Sequence, residues 1–231
     1  MKAFLLAAGL GTRLRPLTDS TAKCLLPIQG VPLISIWLDL CHRYGIDEVL
    51  INTHLHGERV RACLGARRNG VRTIVVDEPV LLGSAGTIRN NRQWVEGEES
   101  FWVLYADVLT NADLGQMMEF HQQHPCVATL GGYEVPDPRR CGIMQVGPDG
   151  RIERFVEKPK SPIGRVAFSG LMVADAALLD EIPNQSHSDI GFDVLPRLAG
   201  NMFAWPISDY ILDIGTIENY DLAQKSWPGL G

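Results

Sequence analysis

The first residues that could do chemistry lie near the start of the chain, in the segment LLAAGLGTRLRPLT. Gly9 and Gly11 would let backbone N–H groups approach phosphate oxygens closely. Arg13 and Arg15 follow these glycines, and arginine adds bidentate, charge-assisted hydrogen bonds to phosphate. Lys23 supplies a further cation within reach of the same loop. This combination after an apolar run predicts a site that binds a triphosphate.

The loop does not fit two common nucleotide-binding motifs. In the dinucleotide-binding motif GxGxxG the third glycine would fall on Leu14, and no acidic residue ends a second strand about 20 residues later. The P-loop motif GxxxxGK[ST] does not occur. The sequence therefore disfavours a dinucleotide-dependent oxidoreductase and a P-loop NTPase.

Two aspartates lie at the ends of apolar runs that are far apart in the sequence. Asp107 ends the run FWVLYAD, and Asp213 follows an apolar run in YILDIGT. A carboxylate at the carboxyl end of a parallel strand lies where α/β sheets bind ligands. Either aspartate could instead be a helix N-cap, and Asp213 suits that role because Gly215 and Thr216 follow at a predicted helix start. Both interpretations stay open at this point.

The first half of the sequence alternates short apolar runs with amphipathic stretches. This alternation predicts parallel βαβ units in a doubly wound sheet. The predicted strands cover residues 2–7, 48–53, 71–77 and 101–107, and the predicted helices cover 33–44, 57–64, 84–92 and 114–121. We therefore expect an α/β fold with a Rossmann-like, doubly wound and mostly parallel sheet.

The second half of the sequence is richer in strands. The turn signal GPDG joins segments 143–146 and 151–158 into a predicted hairpin. Further strands are predicted at 127–135, 166–174 and 203–207, and helices at 190–199 and 216–225. We expect one domain over residues 1–231 in which a β-rich portion is inserted, rather than two independent domains.

Composition excludes several classes of protein. The chain has 231 residues, of which 45% are hydrophobic and 21% are charged, as in ordinary globular proteins. The net charge of −6 argues against a nucleic-acid-binding protein, because those proteins usually carry an excess of basic residues. No apolar stretch approaches the roughly 20 residues that span a bilayer, so no membrane association is predicted.

The cysteines and histidines carry no clear metal or disulfide pattern. The five cysteines are an odd number and no two have CxxC spacing, which disfavours a disulfide framework and a zinc site. Reduced thiols are typical of a cytoplasmic protein, and the N-terminus does not have the form of a signal peptide. The pairs His54-x-His56 and His121-x-x-His124 lack neighbouring cysteines, so metal binding there is disfavoured.

The opening segment resembles the sugar-1-phosphate nucleotidylyltransferase family. That family usually has LAxGxGTRLxPLT followed by PKPLxPxxGxPxI, and this chain has LAAGLGTRLRPLT, then Lys23 and LLPIQGVPLI. The chain departs from the pattern at Ala22 and Cys24, where proline is usual on both sides of the lysine. The resemblance, which extends over nearly the whole chain, implies that the loop binds the nucleotide through Leu6, Ala7, Ala8, Gly9, Gly11, Thr12 and Arg13.

The segment EPVLLGSAGTI, residues 78–88, looks like the base-binding segment of the same family. The resemblance implies that Glu78, Gly83, Ser84 and Ala85 contact the nucleotide. A helix that starts at Ser84 or Ala85 would also point its N-terminus at the ligand. The alternative is an ordinary loop that leads into a helix.

The segment FVEKP, residues 155–159, matches an acceptor-binding element of the family. The resemblance implies that Glu157 accepts hydrogen bonds from sugar hydroxyls and that Lys158 contacts the sugar phosphate. Gly142 and Gly170 would complete a sugar-phosphate-binding portion over residues 127–215, while the N-terminal half binds the nucleotide. The alternative is an exposed charged pair at a strand end.

The family resemblance also implies a metal ion and a reaction. Asp107 and Asp213 correspond to the family's two Mg²⁺ ligands, and carboxylates with phosphate oxygens suit that ion. The reaction joins a sugar 1-phosphate to an NTP and releases pyrophosphate. The implied catalytic residues are Arg13, Lys23, Lys158 and Asp107.

The choice of substrates rests on the base-binding segment. LLGSAGTI is more similar to the LGTAG of mannose-1-phosphate guanylyltransferases than to the glutamine-containing loops of thymidylyl- and adenylyltransferases. We therefore expect GTP with mannose 1-phosphate or a related hexose or heptose 1-phosphate. The alternatives are uridylyl or thymidylyl transfer to another sugar 1-phosphate, and a phosphocholine cytidylyltransferase-like enzyme. A C-terminal β-helix is not expected, and the sequence leaves open whether the chain forms a homo-oligomer.

Overall fold

The structure, a computed structural model, describes residues 1–66 and 70–231. The helices are α1 (Leu33–Arg43), α2 (Gly57–Gly65), α3 (Ser84–Asn90), α4 (Leu114–Gln123), α5 (Leu178–Glu181) and α6 (Ile217–Ser226). The strands are β1 (Lys2–Leu6), β2 (Pro27–Ile28), β3 (Val31–Pro32), β4 (Glu48–Thr53), β5 (Arg72–Asp77), β6 (Ser100–Tyr105), β7 (Val108–Thr110), β8 (Ala128–Glu134), β9 (Gly142–Val146), β10 (Ile152–Glu157), β11 (Val166–Asp175), β12 (Met202–Pro206) and β13 (Ile211–Asp213).

The chain forms two compact units. The first unit consists of residues 1–81, 104–112 and 209–231, and the second of residues 82–103 and 113–208. The chain passes from the second unit into the first within β6, at Val103 and Leu104. The second unit thus contains α3 and residues 127–208 of the predicted β-rich portion, whereas residues 209–215, which include Asp213, belong to the first unit.

The first unit is built on three parallel strands. β1 pairs with β4 and β4 pairs with β5, with Leu6 opposite Asn52 and Asn52 opposite Val76. The apolar runs predicted as strands bury their side chains here; Ala3, Phe4 and Leu5 have no exposed surface. The parallel pairing confirms the α/β fold and brings the carboxyl ends of β1, β4 and β5 to one edge.

The predicted carboxylates of the first unit lie on or next to two short strands. β7 and β13 pair antiparallel, with Asp213 opposite Val108. Asp107 lies in the turn between β6 and β7, and Asp213 is the last residue of β13. The N-cap of α6 is Thr216, whose side chain accepts a hydrogen bond from Asn219 N–H. The alternative that Asp213 caps this helix is therefore wrong.

The second unit is mostly antiparallel. β11 pairs antiparallel with β8 and β9, β9 pairs antiparallel with β10, and β12 pairs parallel with β8. The predicted hairpin is confirmed, because Gly147 N–H donates to Arg151 O at 2.8 Å and Gly150 N–H to Gly147 O at 3.0 Å. These strands place Gly142 opposite Glu157, at the end of the hairpin far from its turn.

The predicted α-helix over residues 190–199 is wrong. The segment forms a π-helical turn at Ile190–Val194 and a 3₁₀ turn at Leu195–Leu198. Pro196 explains the difference, because proline lacks an N–H and its ring collides with the carbonyl four residues earlier in an α-helix.

No helix among the described residues combines the length and the apolar character needed to cross a bilayer.

Candidate active site

The loop after β1 is held in a fixed shape from both sides. Ala7 N–H donates to Asn52 Oδ1 at 2.7 Å, and Thr18 Oγ1–H donates to Gly11 O at 2.8 Å. Gly11 has a φ of 62°, and a Cβ at this position would lie 2.9 Å from Thr18 Cγ2. Glycine is therefore required at Gly11 both by conformation and by space.

The middle of the same loop is open. A Cβ built on Gly9 would meet no atom within 4 Å. Gly9, Thr12 and Arg13 are exposed, whereas Ala8 is buried beneath them and Leu6 is half-buried at the end of β1. The loop therefore presents its glycine backbone and its arginine outward, as the binding of a phosphate chain requires.

Lys23 joins the two predicted metal ligands within the first unit. Its Nζ lies 2.8 Å from Asp107 Oδ2 and 4.0 Å from Asp213 Oδ1. Lys23 is only 8% exposed, because it lies at the start of a buried 3₁₀ turn, Lys23–Leu25. Asp107 and Asp213 lie 84 and 190 positions after Lys23 in the sequence. The three residues thus form one charged cluster, as the sequence predicted.

Arg13 extends this cluster from the loop. Gly215 N–H donates to Asp213 Oδ1 at 2.6 Å. A Cβ on Gly215 would lie 2.8 Å from Asp213 Oδ1 and 2.9 Å from an Arg13 guanidinium nitrogen. Because Gly215 has no side chain, the Arg13 guanidinium and the Asp213 carboxylate can both lie beside it.

The pKa of Asp213 is raised above its ordinary value. Desolvation by the surrounding protein is the largest cause, and the negative charge of Asp107 adds to it. Lys23, Gly215 N–H and Arg13 act in the opposite direction. Burial therefore outweighs the two nearby cations in setting the pKa of this carboxyl group.

The donor set fits Mg²⁺. Magnesium is usually bound by one or two carboxylates together with substrate phosphates and water. Within the described residues, no cluster of three or more His, Cys, Asp or Glu side chains could hold a metal alone. Asp107 and Asp213 therefore suit an ion that arrives with a nucleotide.

Glu78 follows β5 and is fixed by three hydrogen bonds. Asn52 Nδ2–H donates to Glu78 Oε1 at 2.9 Å, and Glu78 N–H donates to Thr53 O at 2.7 Å. The Glu78 carbonyl oxygen lies 2.6 Å from His54 Nδ1. Sequence reasoning missed Asn52, although it ends the apolar run of β4 in the same way as Asp107 ends its own run.

The start of α3 in the second unit is confirmed at Ser84, but its N–H groups are occupied. Ala85 N–H and Gly86 N–H both donate to Ser188 O at 3.0 Å. Gly83 has a φ of 78°, and a Cβ there would collide with the same carbonyl oxygen. This corrects the expectation that the helix N-terminus points at the ligand, because a protein carbonyl already accepts these bonds.

Glu157 and Lys158 lie together at the end of β10. Lys158 Nζ is 3.4 Å from Glu157 Oε1, and it lies 5.4 Å from the ring centroid of Phe192. A Cβ on Gly142 or Gly191 would lie 2.6 or 2.5 Å from Glu157 Oε2. The side chain of Glu157 is 14% exposed, so the alternative of an exposed charged pair is wrong for the glutamate.

Asp189 is a further residue of this cluster that sequence reasoning missed. Its carboxylate accepts hydrogen bonds from Ser84 Oγ–H and Gly191 N–H, both at 2.9 Å. Burial raises the pKa of Glu157, Lys158 lowers it, and the charge of Asp189 raises it again. An Asp before Ile-Gly-Phe is a recognisable capping signal, but the predicted α-helix obscured it.

Two backbone positions in the second unit are strained or special. Lys158 has a φ of 46°, which is uncommon for a residue with a side chain. Gly170 has a φ of 84° where the register of β11 with β8 shifts, between Phe168 and Met172. Gly170 is therefore needed for a bulge, which glycine permits without steric cost.

The sequence resembles known proteins over nearly its whole length. A family model for nucleotidyl transferases matches residues 2–227. Mannose-1-phosphate guanylyltransferase 1 of Arabidopsis thaliana is 31% identical over 227 residues, which cover 95% of this chain and 63% of that protein. A mannose-1-phosphate guanylyltransferase catalytic subunit beta of Danio rerio is 30% identical over 226 residues, with 95% and 62% covered. The chain thus spans less than two thirds of the length of these relatives.

Solved structures share the fold. A candidate glucose-1-phosphate thymidylyltransferase from Bacillus anthracis has a TM-score of 0.87 at 24% identity, covering 97% of this chain and 94% of that chain. HddC from Yersinia pseudotuberculosis has a TM-score of 0.82 at 22% identity, covering 97% and 98%. With the family model extending over nearly every residue, the chain belongs to the nucleotidyl transferase family.

Proposed function

We propose that this chain transfers a nucleoside monophosphate from an NTP to a sugar 1-phosphate. The observation that carries the proposal is the contact of Lys23 with Asp107 and Asp213, beside a glycine-rich loop that bears Arg13. Two carboxylates and two cations at one place suit the binding of a phosphate chain with a divalent ion.

In the proposed step, a phosphate oxygen of the sugar 1-phosphate attacks the α-phosphorus of the NTP. A new oxygen–phosphorus bond forms, the bond to the oxygen that bridges the α- and β-phosphorus atoms breaks, and pyrophosphate leaves with the electron pair. Such transfers depend on positioning and charge neutralisation more than on covalent protein chemistry. Arg13 binds the leaving β- and γ-phosphates, and Lys23 contacts the phosphates undergoing transfer.

The proposed cofactor is Mg²⁺ held by Asp107 and Asp213. When bound, the ion supplies Lewis-acid stabilisation of charge on phosphate oxygens. The two aspartates bind it, while the Lys23 ammonium balances their charge and remains close enough to contact phosphate.

The second unit supplies the acceptor-binding residues in this proposal. Glu157 accepts hydrogen bonds from sugar hydroxyls, and Lys158 orients the attacking phosphate. Gly142 and Gly170 line the acceptor through their backbones. The narrow space that two glycines leave around Glu157 supports this role, because a carboxylate so confined has a fixed direction.

The proposed nucleotide is GTP. A carboxylate accepts hydrogen bonds and donates none. The Watson–Crick edge of guanine presents two adjacent donors, N1–H and N2–H, beside its O6 acceptor, whereas adenine, cytosine and uracil have no two adjacent donors. Glu78, which is buried after β5 and accepts a hydrogen bond from Asn52, is suited to this edge. The Arabidopsis and Danio relatives, which are named for mannose 1-phosphate, support that sugar or a related hexose or heptose as the acceptor.

A cytoplasmic location is part of the proposal. All five cysteines have free thiols, and reduced thiols are typical of that compartment.

The test combines the protein with Mg²⁺, one NTP and one phosphorylated acceptor. GTP, ATP, UTP, CTP and dTTP are each paired with mannose, glucose and heptose 1-phosphates and with phosphocholine, and pyrophosphate release is measured. We expect the fastest release with GTP and a mannose-type acceptor. Release with CTP and phosphocholine alone would replace the proposal with the cytidylyltransferase alternative, and no release with any pair would overturn it.

A further inference from the structure

Asn52 links two segments of the first unit that follow different strands. β4 lies between β1 and β5, and Asn52 is near its carboxyl end. Ala7 N–H donates to Asn52 Oδ1 at 2.7 Å, and Asn52 Nδ2–H donates to Glu78 Oε1 at 2.9 Å. Asn52 and Glu78 are each 4% exposed. One buried amide therefore joins the base of the glycine-rich loop to the carboxylate that follows β5.

We infer that Asn52 is a positioning residue for nucleobase selection: it fixes the Glu78 carboxylate relative to the glycine-rich loop. The inference rests on the proposed function, in which Glu78 reads the base. Asn52 acts through Glu78 and through the backbone of Ala7, and it touches no substrate itself.

The two neighbours dictate the orientation of the amide. The backbone N–H of Ala7 can only donate, so it must face the amide oxygen of Asn52. The amide NH₂ then faces Glu78, whose carboxylate accepts. Asparagine provides both groups on one short side chain, whereas an aspartate at position 52 would present an oxygen to Glu78 and place two carboxylates in contact.

Removal of the amide releases both partners at once. In Asn52→Ala the Ala7 N–H loses its bond to Oδ1 and Glu78 Oε1 loses its bond to Nδ2, so the hydrogen bonds that couple the direction of the carboxylate to the loop are gone. A site that recognises hydrogen-bonding groups discriminates strongly because a mismatched ligand leaves buried polar groups unpaired. A carboxylate without a fixed direction loses this discrimination.

A double variant separates base selection from structural support. In Asn52→Asp combined with Glu78→Gln, the new carboxylate accepts from Ala7 N–H and from the new amide, so both buried hydrogen bonds are restored. The carboxylate available to the base is nevertheless lost. Asn111→Ala is the matched control, because Asn111 also bonds two backbone groups in the first unit, Gly229 O and Tyr210 N–H.

The experiment measures binding of GTP, ATP, UTP and CTP to each variant by calorimetry, without acceptor, and thermal unfolding in parallel. We expect the preference for the favoured nucleotide to fall about tenfold in Asn52→Ala and Asn52→Asp, the order of one lost hydrogen bond, and to be unchanged in Asn111→Ala. The double variant regains the melting temperature of the wild type but not its preference.

Equal weakening of all four nucleotides in Asn52→Ala would overturn the inference, and so would a wild type that binds them all equally or binds none. Recovery of the original preference in the double variant would overturn it as well. Because binding is measured without acceptor, a normal preference with no pyrophosphate release would overturn the proposed transfer alone and leave the role of Asn52 in nucleotide selection intact.

Discussion

Lys23 Nζ lies 2.8 Å from Asp107 Oδ2 and 4.0 Å from Asp213 Oδ1, so one ammonium group offsets part of the charge of the two predicted metal ligands. We expect Lys23→Met to lower turnover by about 10²- to 10³-fold, the usual cost of one electrostatic contact to a reacting phosphate. The same change should tighten Mn²⁺ binding in the absence of nucleotide, because the competing cation is gone. Electron paramagnetic resonance of free Mn²⁺ measures that affinity.

The control for this change is Lys225→Met, which removes an exposed lysine from α6. Weaker Mn²⁺ binding in Lys23→Met than in the control would show that Lys23 supports the carboxylates rather than competing for them.

Asp213 should make stability depend on pH. Its pKa is raised in the folded protein, so its ionisation opposes folding. Its contribution to stability is full below the ordinary aspartate value of 3.8 and is lost as the pH rises through the higher native pKa. In a chelator, Asp213→Asn should therefore melt above the wild type near pH 7, with the difference vanishing at acid pH.

The amide of Asp213→Asn still accepts from Gly215 N–H, so the comparison isolates the charge. Differential scanning calorimetry over a pH series measures it. A variant that melts below the wild type near pH 7 would contradict the assigned sign.

Lys158 combines a charge with a strained backbone, and two substitutions separate them. We expect Lys158→Ala and Lys158→Gly to lose about 10²- to 10³-fold in turnover, because both lack the cation that we propose orients the acceptor. Only glycine adopts a φ of 46° without strain, so Lys158→Gly should melt above Lys158→Ala. Steady-state kinetics and thermal unfolding provide the two measurements, and near-normal turnover in either variant would remove Lys158 from the mechanism.

Phe192 provides a test of the acceptor side of the site. Phe192 is 55% exposed, and the Lys158 ammonium lies 5.4 Å from the centroid of its ring. We expect Phe192→Ala to raise the KM for the sugar 1-phosphate by several-fold, since cation–π contacts at exposed sites contribute about 0.5–1 kcal/mol. The KM for the NTP should stay constant. A change in the KM for the NTP alone would contradict a role of Phe192 in binding the sugar 1-phosphate.

Gly83→Ala should be strongly destabilising, by more than about 2 kcal/mol. The new Cβ would collide with the Ser188 carbonyl, and the backbone at Gly83 has a conformation that only glycine adopts readily. Gly200→Ala is the matched control in the same unit. Gly200 has a φ of 86° but open space around it, so its substitution should cost only about 1 kcal/mol for the backbone. Urea unfolding compares the stability of the two variants. Equal losses in the free energy of unfolding would show that movement of neighbouring atoms relieves the collision at Gly83.

The sequence predicted the charged residues better than their surroundings. Lys23 follows the glycine-rich loop, and Asp107 and Asp213 each come at the end of an apolar run, so sequence position and the family resemblance together indicate all three. Asn52 ends such a run too, but an asparagine there has no motif of its own, and only the register opposite Leu6 shows that it reaches Ala7. Sequence position carries no information about such cross-strand distances.

The capping of α3 could not be foreseen for a related reason. The accepting group is the backbone carbonyl of Ser188, about a hundred positions further along the chain, and every residue type has such a carbonyl. The prediction of a helix at 190–199 is wrong because apolar spacing alone does not account for Pro196, and proline in a helix interior costs about 3 kcal/mol.

The two glycines that flank Glu157 also constrain how this protein can be altered. Neither Gly142 nor Gly191 has room for a methyl group beside the carboxylate, so no side chain can be introduced at either position without displacing it. Directed evolution toward new acceptors therefore has little freedom at these positions. Phe192, a residue with more than half of its surface in solvent, is a nearby position where a library can vary size and polarity while the buried glutamate stays in place.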